Sequence, residues 1–238
     1  MSKLNLMICP HDTAKNPEKW FRFVQYLNHH LDFTIHFNIS LDFKDFHDRL
    51  PEADLVYANP ADGVHLVKAQ QFIPIVRSTN LFDEVVFIAN PNLNNPSLQS
   101  YQGSQVATVN SMITKIATSL LQHQGIVPTE LINKDSWLGV INAVAKSEVS
   151  LGFVYKDTYD ELSPKTKEMI SAIATSSEHR AFHALYLSPK VSDRAQAISD
   201  ILQQMHLAPD GQDVLKDLKI VAWESVPTDA IQLLFEMA

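Results

Sequence analysis

One cysteine stands in the 238 residues, so no disulfide framework can form within the chain. That residue, Cys9, follows a predicted strand and reads as a small buried side chain. No patterned histidine with asparagine or aspartate accompanies it, as a catalytic thiol would need. The ten histidines are scattered and never fall at the spacings of a zinc motif, so neither a metal nor a cofactor is expected. No run of 18 apolar residues exists, and a membrane-crossing helix is thereby excluded. Basic residues are outnumbered, 19 Lys and Arg against 27 Asp and Glu, for a net charge of −8. Nucleic acid, which asks for a basic stripe, is not an expected partner. A single anion site stays compatible with that charge, because local fields can oppose the net one. Repeats and low-complexity tracts are absent. The first residues, Met1 to Pro10, read as a strand whose apolar part is too short for a signal peptide. As written the protein would stay in the cytoplasm; an excised mature chain with the same start would be periplasmic.

What is present is an alternation of strand and helix. Residues 4–9 form a short apolar strand. Asn16, Pro17 and Glu18 open a helix, followed by Trp20, Phe23, Val24, Leu27 and Leu31 at the spacing of one buried face. Phe33, Ile35, Phe37 and Ile39 alternate with polar residues as a strand does. Ser40 caps a short helix through Leu50. Further strands are expected at Leu55–Tyr57, Phe72–Arg77, Glu84–Ala89, Val106–Val109, Val149–Tyr155, 171–175 and 181–187. Further helices are expected near 61–70, 111–124, 136–147, from Thr158, and at 192–206, 211–218 and 228–237. Such alternation predicts mostly parallel sheets covered on both faces. The turn formers of Asn90 to Pro96 mark a boundary between two lobes.

In open α/β sheets a ligand sits beyond the carboxyl ends of strands. The rule selects His11 and Asp12, Asn59 and Asp62, Arg77, and Tyr155. All but Tyr155 have a plain structural alternative: His11 and Asp12 as turn chemistry, Asn59 and Asp62 as caps of the following helix, Arg77 as a solvated charge. Trp137 shares its stripe with Ile141 and Val144, which makes it core, or else a stacking wall for a ligand. Arg180 and His183 flank a later strand. No carboxylate pair and no nucleophile with its base stands out, so catalysis is not expected.

The order of short motifs resembles the phosphate, phosphite and phosphonate receptor family of ABC importers. It is carried by Phe21-Arg22-Phe23-Val24-Gln25-Tyr26-Leu27, by Ala53-Asp54-Leu55-Val56-Tyr57-Ala58-Asn59-Pro60, and by Pro74-Ile75-Val76-Arg77. Then follow Glu84 to Ile88, Gly103 to Val109, Leu121 to Ile126, Ile141 to Val154, and Val226-Pro227-Thr228-Asp229. The resemblance implies a periplasmic-binding-protein type II fold: α/β, two discontinuous lobes with the ligand cleft between them, 1–88 plus 186–238 and 89–185. It implies binding of a small polar or anionic solute, with an ABC permease or a signalling protein as partner. The family's Ser-Thr-Ser-Gly-like run corresponds to Asn110-Ser111-Met112-Ile113-Thr114, so Asn110, Ser111 and Thr114 are the implied contacts. Trp137 follows Ser136 where the family often has histidine, and Ser150 replaces a common aspartate. These departures leave the phosphonate motif degraded. The alternative is a cytoplasmic enzyme on the same fold, such as a chorismate-dehydratase-like protein.

Overall fold

The computed structural model describes residues 3–13, 16–92 and 97–237. Contacts divide the chain into two units, Met1–Phe82 with Phe182–Glu236, and Asp83–Ala181. The divisions fall at 82/83 and 181/182, against 88/89 and 185/186 from the sequence. Of the turn-rich stretch 90–96, residues 93–96 lie outside the described residues.

The first unit begins with β1 (Lys3–Ile8), α1 (Pro10–Thr13), α2 (Pro17–His30), β2 (Thr34–Asn38) and α3 (Phe43–Arg49). It continues with β3 (Leu55–Ala58), α4 (Pro60–Gln70) and β4 (Ile73–Ser78). The second unit holds β5 (Val85–Ala89), β6 (Gln105–Thr108), α5 (Met112–His123), β7 (Glu130–Asn133), α6 (Trp137–Ala145), β8 (Leu151–Tyr155), α7 (Lys156–Asp160), α8 (Pro164–Lys167) and β9 (Ser171–Thr175). The chain then returns to the first unit with β10 (Ala184–Leu187), α9 (Ala195–Gln204), α10 (Pro209–Leu218), β11 (Trp223–Ser225) and α11 (Thr228–Met237).

The first unit's sheet has the order β11-β4-β10-β3-β1-β2, and the second's β7-β6-β8-β5-β9. Both are mixed rather than mostly parallel. β1 runs parallel to β2 and β3, and β6 parallel to β7 and β8. β10 is antiparallel to β3 and β4, and β5 is antiparallel to β8 and β9. The reason is topological: β5 and β10 are the first strands laid down after the chain changes unit, and neither has a preceding crossover helix in its own sheet to set it parallel.

The amphipathic stripe of α2 does what its spacing predicts. Trp20, Phe23, Val24 and Leu27 are buried with Leu6, Ile8, Leu55 and Leu185 of the sheet and Leu202 and Leu215 of α9 and α10. Each such side chain contributes about 1.5–3 kcal/mol on burial. In the second unit Val140, Ile141 and Val144 of α6 pack on Val86, Ile88 and Val154. Gly152 lets that helix approach: a Cβ there would stand 2.8 Å from Val144 and 2.9 Å from Val140. The helix expected to start at Ser40 is capped instead by Asp42, whose carboxylate accepts from the Asp45 N–H at 2.9 Å.

Candidate functional site

Strand register gathers the first unit's chemistry on one sheet edge. β1, β3 and β4 point their carboxyl ends the same way, and antiparallel β10 starts there. Ala184 pairs with both Ala58 and Arg77, and the Cys9 N–H bonds the Tyr57 carbonyl at 2.8 Å. The residues at this edge are Arg77, near the end of β4, and, just beyond the strands, Cys9 to Asp12, Asn59 to Asp62 and His183.

His183 and Asp12 come together here although 171 positions separate them: Nδ1 and Oδ2 are 2.9 Å apart. His183 is buried between two rings, its centroid 5.7 Å from Tyr57 and 5.6 Å from the exposed His11. Burial pushes the Asp12 carboxyl up, but the His183 charge and hydrogen bond outweigh it and hold the group below the usual carboxylate range. Cys9 is fully buried, and burial pushes its thiol up to about 12, with the Asp12 carboxylate adding to the effect. Iodoacetamide at pH 8 is therefore expected to leave Cys9 unmodified in the native protein and to alkylate it fully in urea. Mass spectrometry reads the outcome, and rapid native alkylation would contradict this burial.

Asn59 and Asp62 serve the start of α4. The Asn59 Oδ1 accepts from the Asp62 N–H at 3.0 Å, and its Nδ2 donates to Asp62 Oδ2 at 2.6 Å and to Cys9 Sγ at 3.4 Å. Asp62 also pairs with His47 at 2.8 Å. Arg77 has its charge matched by Glu224 at 2.8 Å and is 13% exposed. Its guanidinium lies 5.6 Å from the Phe82 ring and 4.6 Å from the Phe182 ring. Those two phenylalanines are the residues that flank the excursion of the chain into the second unit.

The second unit has an equivalent edge, formed by the carboxyl ends of β6, β7, β8 and β9 and the start of β5. Asn110 is exposed there. Ser111 takes the cap position of the twelve-residue α5, yet its side chain makes no capping bond. Its Oγ is buried and has no hydrogen-bond partner among the described residues. Thr114 turns back: its Oγ1 donates to the Val109 carbonyl at 2.6 Å and lies 2.6 Å from Thr108 Oγ1. Trp137 is half-buried at the first position of α6, behind the Ser136 cap, and its ring centroid is 6.5 Å from that of Tyr155. Tyr155 is buried and its hydroxyl donates to Asp83 at 3.0 Å, with Asp157 at 3.3 Å. Sequence reasoning did not single out Glu84. Its buried carboxylate accepts from the Ser176 hydroxyl and from the His179 N–H at 2.9 Å, and the Val85 N–H donates to the same Ser176 oxygen at 2.9 Å.

The sequence matches the family described as ABC transporter, phosphonate, periplasmic substrate-binding protein, over residues 6–230. The chain belongs to this family. No curated protein sequence matches it. Solved structures match throughout. XAC2383 from Xanthomonas citri, bound to ATP, has a TM-score of 0.72 at 15% identity, covering 100% of this chain and 96% of that one. PhnD1 from Prochlorococcus marinus, in complex with methylphosphonate, has a TM-score of 0.73 at 14% identity, covering 99% and 96%. The phosphonate-transporter binding protein PA3383 from Pseudomonas aeruginosa has a TM-score of 0.69 at 13% identity, covering 99% and 85%. The phosphonate-type receptor fold is thus the two-lobed α/β fold of periplasmic binding proteins, and this family member is a small-solute-binding protein, not an enzyme. Among the described residues of this receptor, no helix is long and apolar enough to cross a membrane.

Proposed function

We propose that this receptor binds a small solute carrying an anionic or strongly polar group, and that the group sits at the amino end of α5. The carrying observation is the buried, unpartnered Ser111 hydroxyl at that helix start. The first turn of a helix adds N–H donors without intrahelical acceptors and a partial positive charge, which together suit an anion. Asn110 is exposed beside it, and the half-buried Trp137, packed near the buried Tyr155 ring, supplies aromatic surface on the same sheet edge. The hydroxyl of Thr114 is engaged within its own turn, and Arg77 is paired with Glu224, so neither is assigned to the solute. Following the family, an ABC permease is the partner that would receive the solute.

Where the related motif would place further hydroxyls, this chain has Met112 and Ile113, both buried. Fewer donors favour a carboxylate or a smaller polar solute over an alkylphosphonate. Titration calorimetry with methylphosphonate, phosphate and simple carboxylates tests this. Ser111→Asp places a like charge at the anion and is expected to cost about 1–3 kcal/mol of affinity for whichever solute binds. Unchanged affinity in that variant would move the site away from α5. Tight binding of methylphosphonate by the parent would show that Met112 and Ile113 do not restrict the site.

A further inference from the structure

We infer that His11, Asp12 and His183 form a binding site for a divalent first-row transition metal such as Zn²⁺, Co²⁺ or Ni²⁺. Each of the three offers a donor atom, and these atoms all lie within 4.8 Å of one another. Two imidazoles and one carboxylate are a donor set that these ions accept, with bonds of about 2.0–2.2 Å. Neighbouring donors stand about 3.0 Å apart around an octahedral ion and about 3.4 Å apart around a tetrahedral one. Asp12 Oδ2 and His183 Nδ1 stand at hydrogen-bond distance, 2.9 Å, so an ion would take the place of the shared proton between them. His11 is exposed, and its ring centroid stands 5.6 Å from that of His183.

The frame behind the donors is fixed. The Thr13 hydroxyl donates to the Ser40 carbonyl at 2.9 Å, the Trp20 indole to the Asp12 carbonyl at 3.2 Å, and the Asp12 N–H to the Cys9 carbonyl at 2.9 Å. The short α1 turn is thereby held in place, and the Tyr57 ring backs His183 at 5.7 Å. Such supporting contacts orient ligands before the ion arrives. Cys9, close in sequence, is no part of the set: its thiol is fully buried, and the grouped donors are those of His11, Asp12 and His183. The site lies wholly in the first unit and is independent of the solute proposed at α5.

The experiment is calorimetric titration of the full, EDTA-treated chain with Zn²⁺ at pH 7.5 in the absence of any solute, with Co²⁺ absorption as a second readout. One equivalent is expected to bind. His11→Ala, which removes an exposed side chain and leaves the core intact, is expected to weaken binding at least tenfold. Asp12→Asn is expected to do the same, with circular dichroism checking that it folds. His206→Ala, an exposed histidine elsewhere, is expected to leave the affinity unchanged. No stoichiometric binding by the parent would overturn the inference, as would binding that survives both His11→Ala and Asp12→Asn unaltered.

Discussion

Replacing Gly211 with alanine is expected to destabilise the first unit by about 3 kcal/mol, the upper end of what overpacking costs. Gly211 is the third residue of α10, and a Cβ built on it stands 2.1 Å from the Met205 carbonyl oxygen and 2.9 Å from Met205 Cγ. Met205 is fully buried in the core of that unit. Its backbone cannot yield without moving the short turn that leads from α9 into α10. The melting midpoint should fall by roughly 6–12 °C for a chain of this size. Adding Met205→Ala gives no rescue, because the nearest clash is with backbone rather than side chain. Differential scanning calorimetry of the single and double variants decides the matter: a parent-like midpoint for Gly211→Ala, or recovery in the double variant, would refute the backbone clash.

The second large effect is expected at Ser176. Its hydroxyl donates to Glu84 and accepts from the Val85 N–H, and both Ser176 and Glu84 are buried. Ser176→Ala leaves a carboxylate with one donor fewer and a backbone N–H with no acceptor. An orphaned buried group costs about 1–3 kcal/mol, and a charged one costs more, so a loss of about 3 kcal/mol is expected. A double-mutant cycle with Glu84→Ala should show strong non-additivity, since the second change removes the carboxylate the first had stranded. Chemical denaturation followed by tryptophan fluorescence supplies the four free energies. Additive losses would mean that the pair does not act as a unit.

Much of this fold was legible because its signals are local. The stripe on α2, the alternation in β2 and the apolar runs of β1, β3, β5 and β8 each lie within a dozen residues and report burial directly. β7 escaped because it is an edge strand whose four residues are mostly exposed, so no face repeats. β11 has three residues at an edge of the first unit's sheet, too few for any period. Strand direction in β5 and β10 was illegible because nothing in Val85–Ala89 or Ala184–Leu187 records which way the chain enters. The site divides the same way. Ser111 and Trp137 could be selected from loop position and family pattern. The pairing of His183 with Asp12, and of Arg77 with Glu224, spans 171 and 147 positions, and only the strand register brings them together.

Arg77, selected from the sequence as a ligand candidate, has a different consequence. Phe82 and Phe182 lie on either side of the chain's excursion, and both rings meet the same guanidinium. Within the second unit the Asp83 N–H bonds the Ala181 carbonyl at 2.8 Å, so its first and last residues are also neighbours. Each unit therefore closes its own seam. Residues 83–181 have the anatomy of a cassette spliced into a host domain: the ends that would be cut are already side by side. A peptide of 83–181 should fold by itself, and a short bridge from Phe82 to Phe182 should heal the host. Such a layout lets one half of the receptor be exchanged by recombination while the other keeps its core.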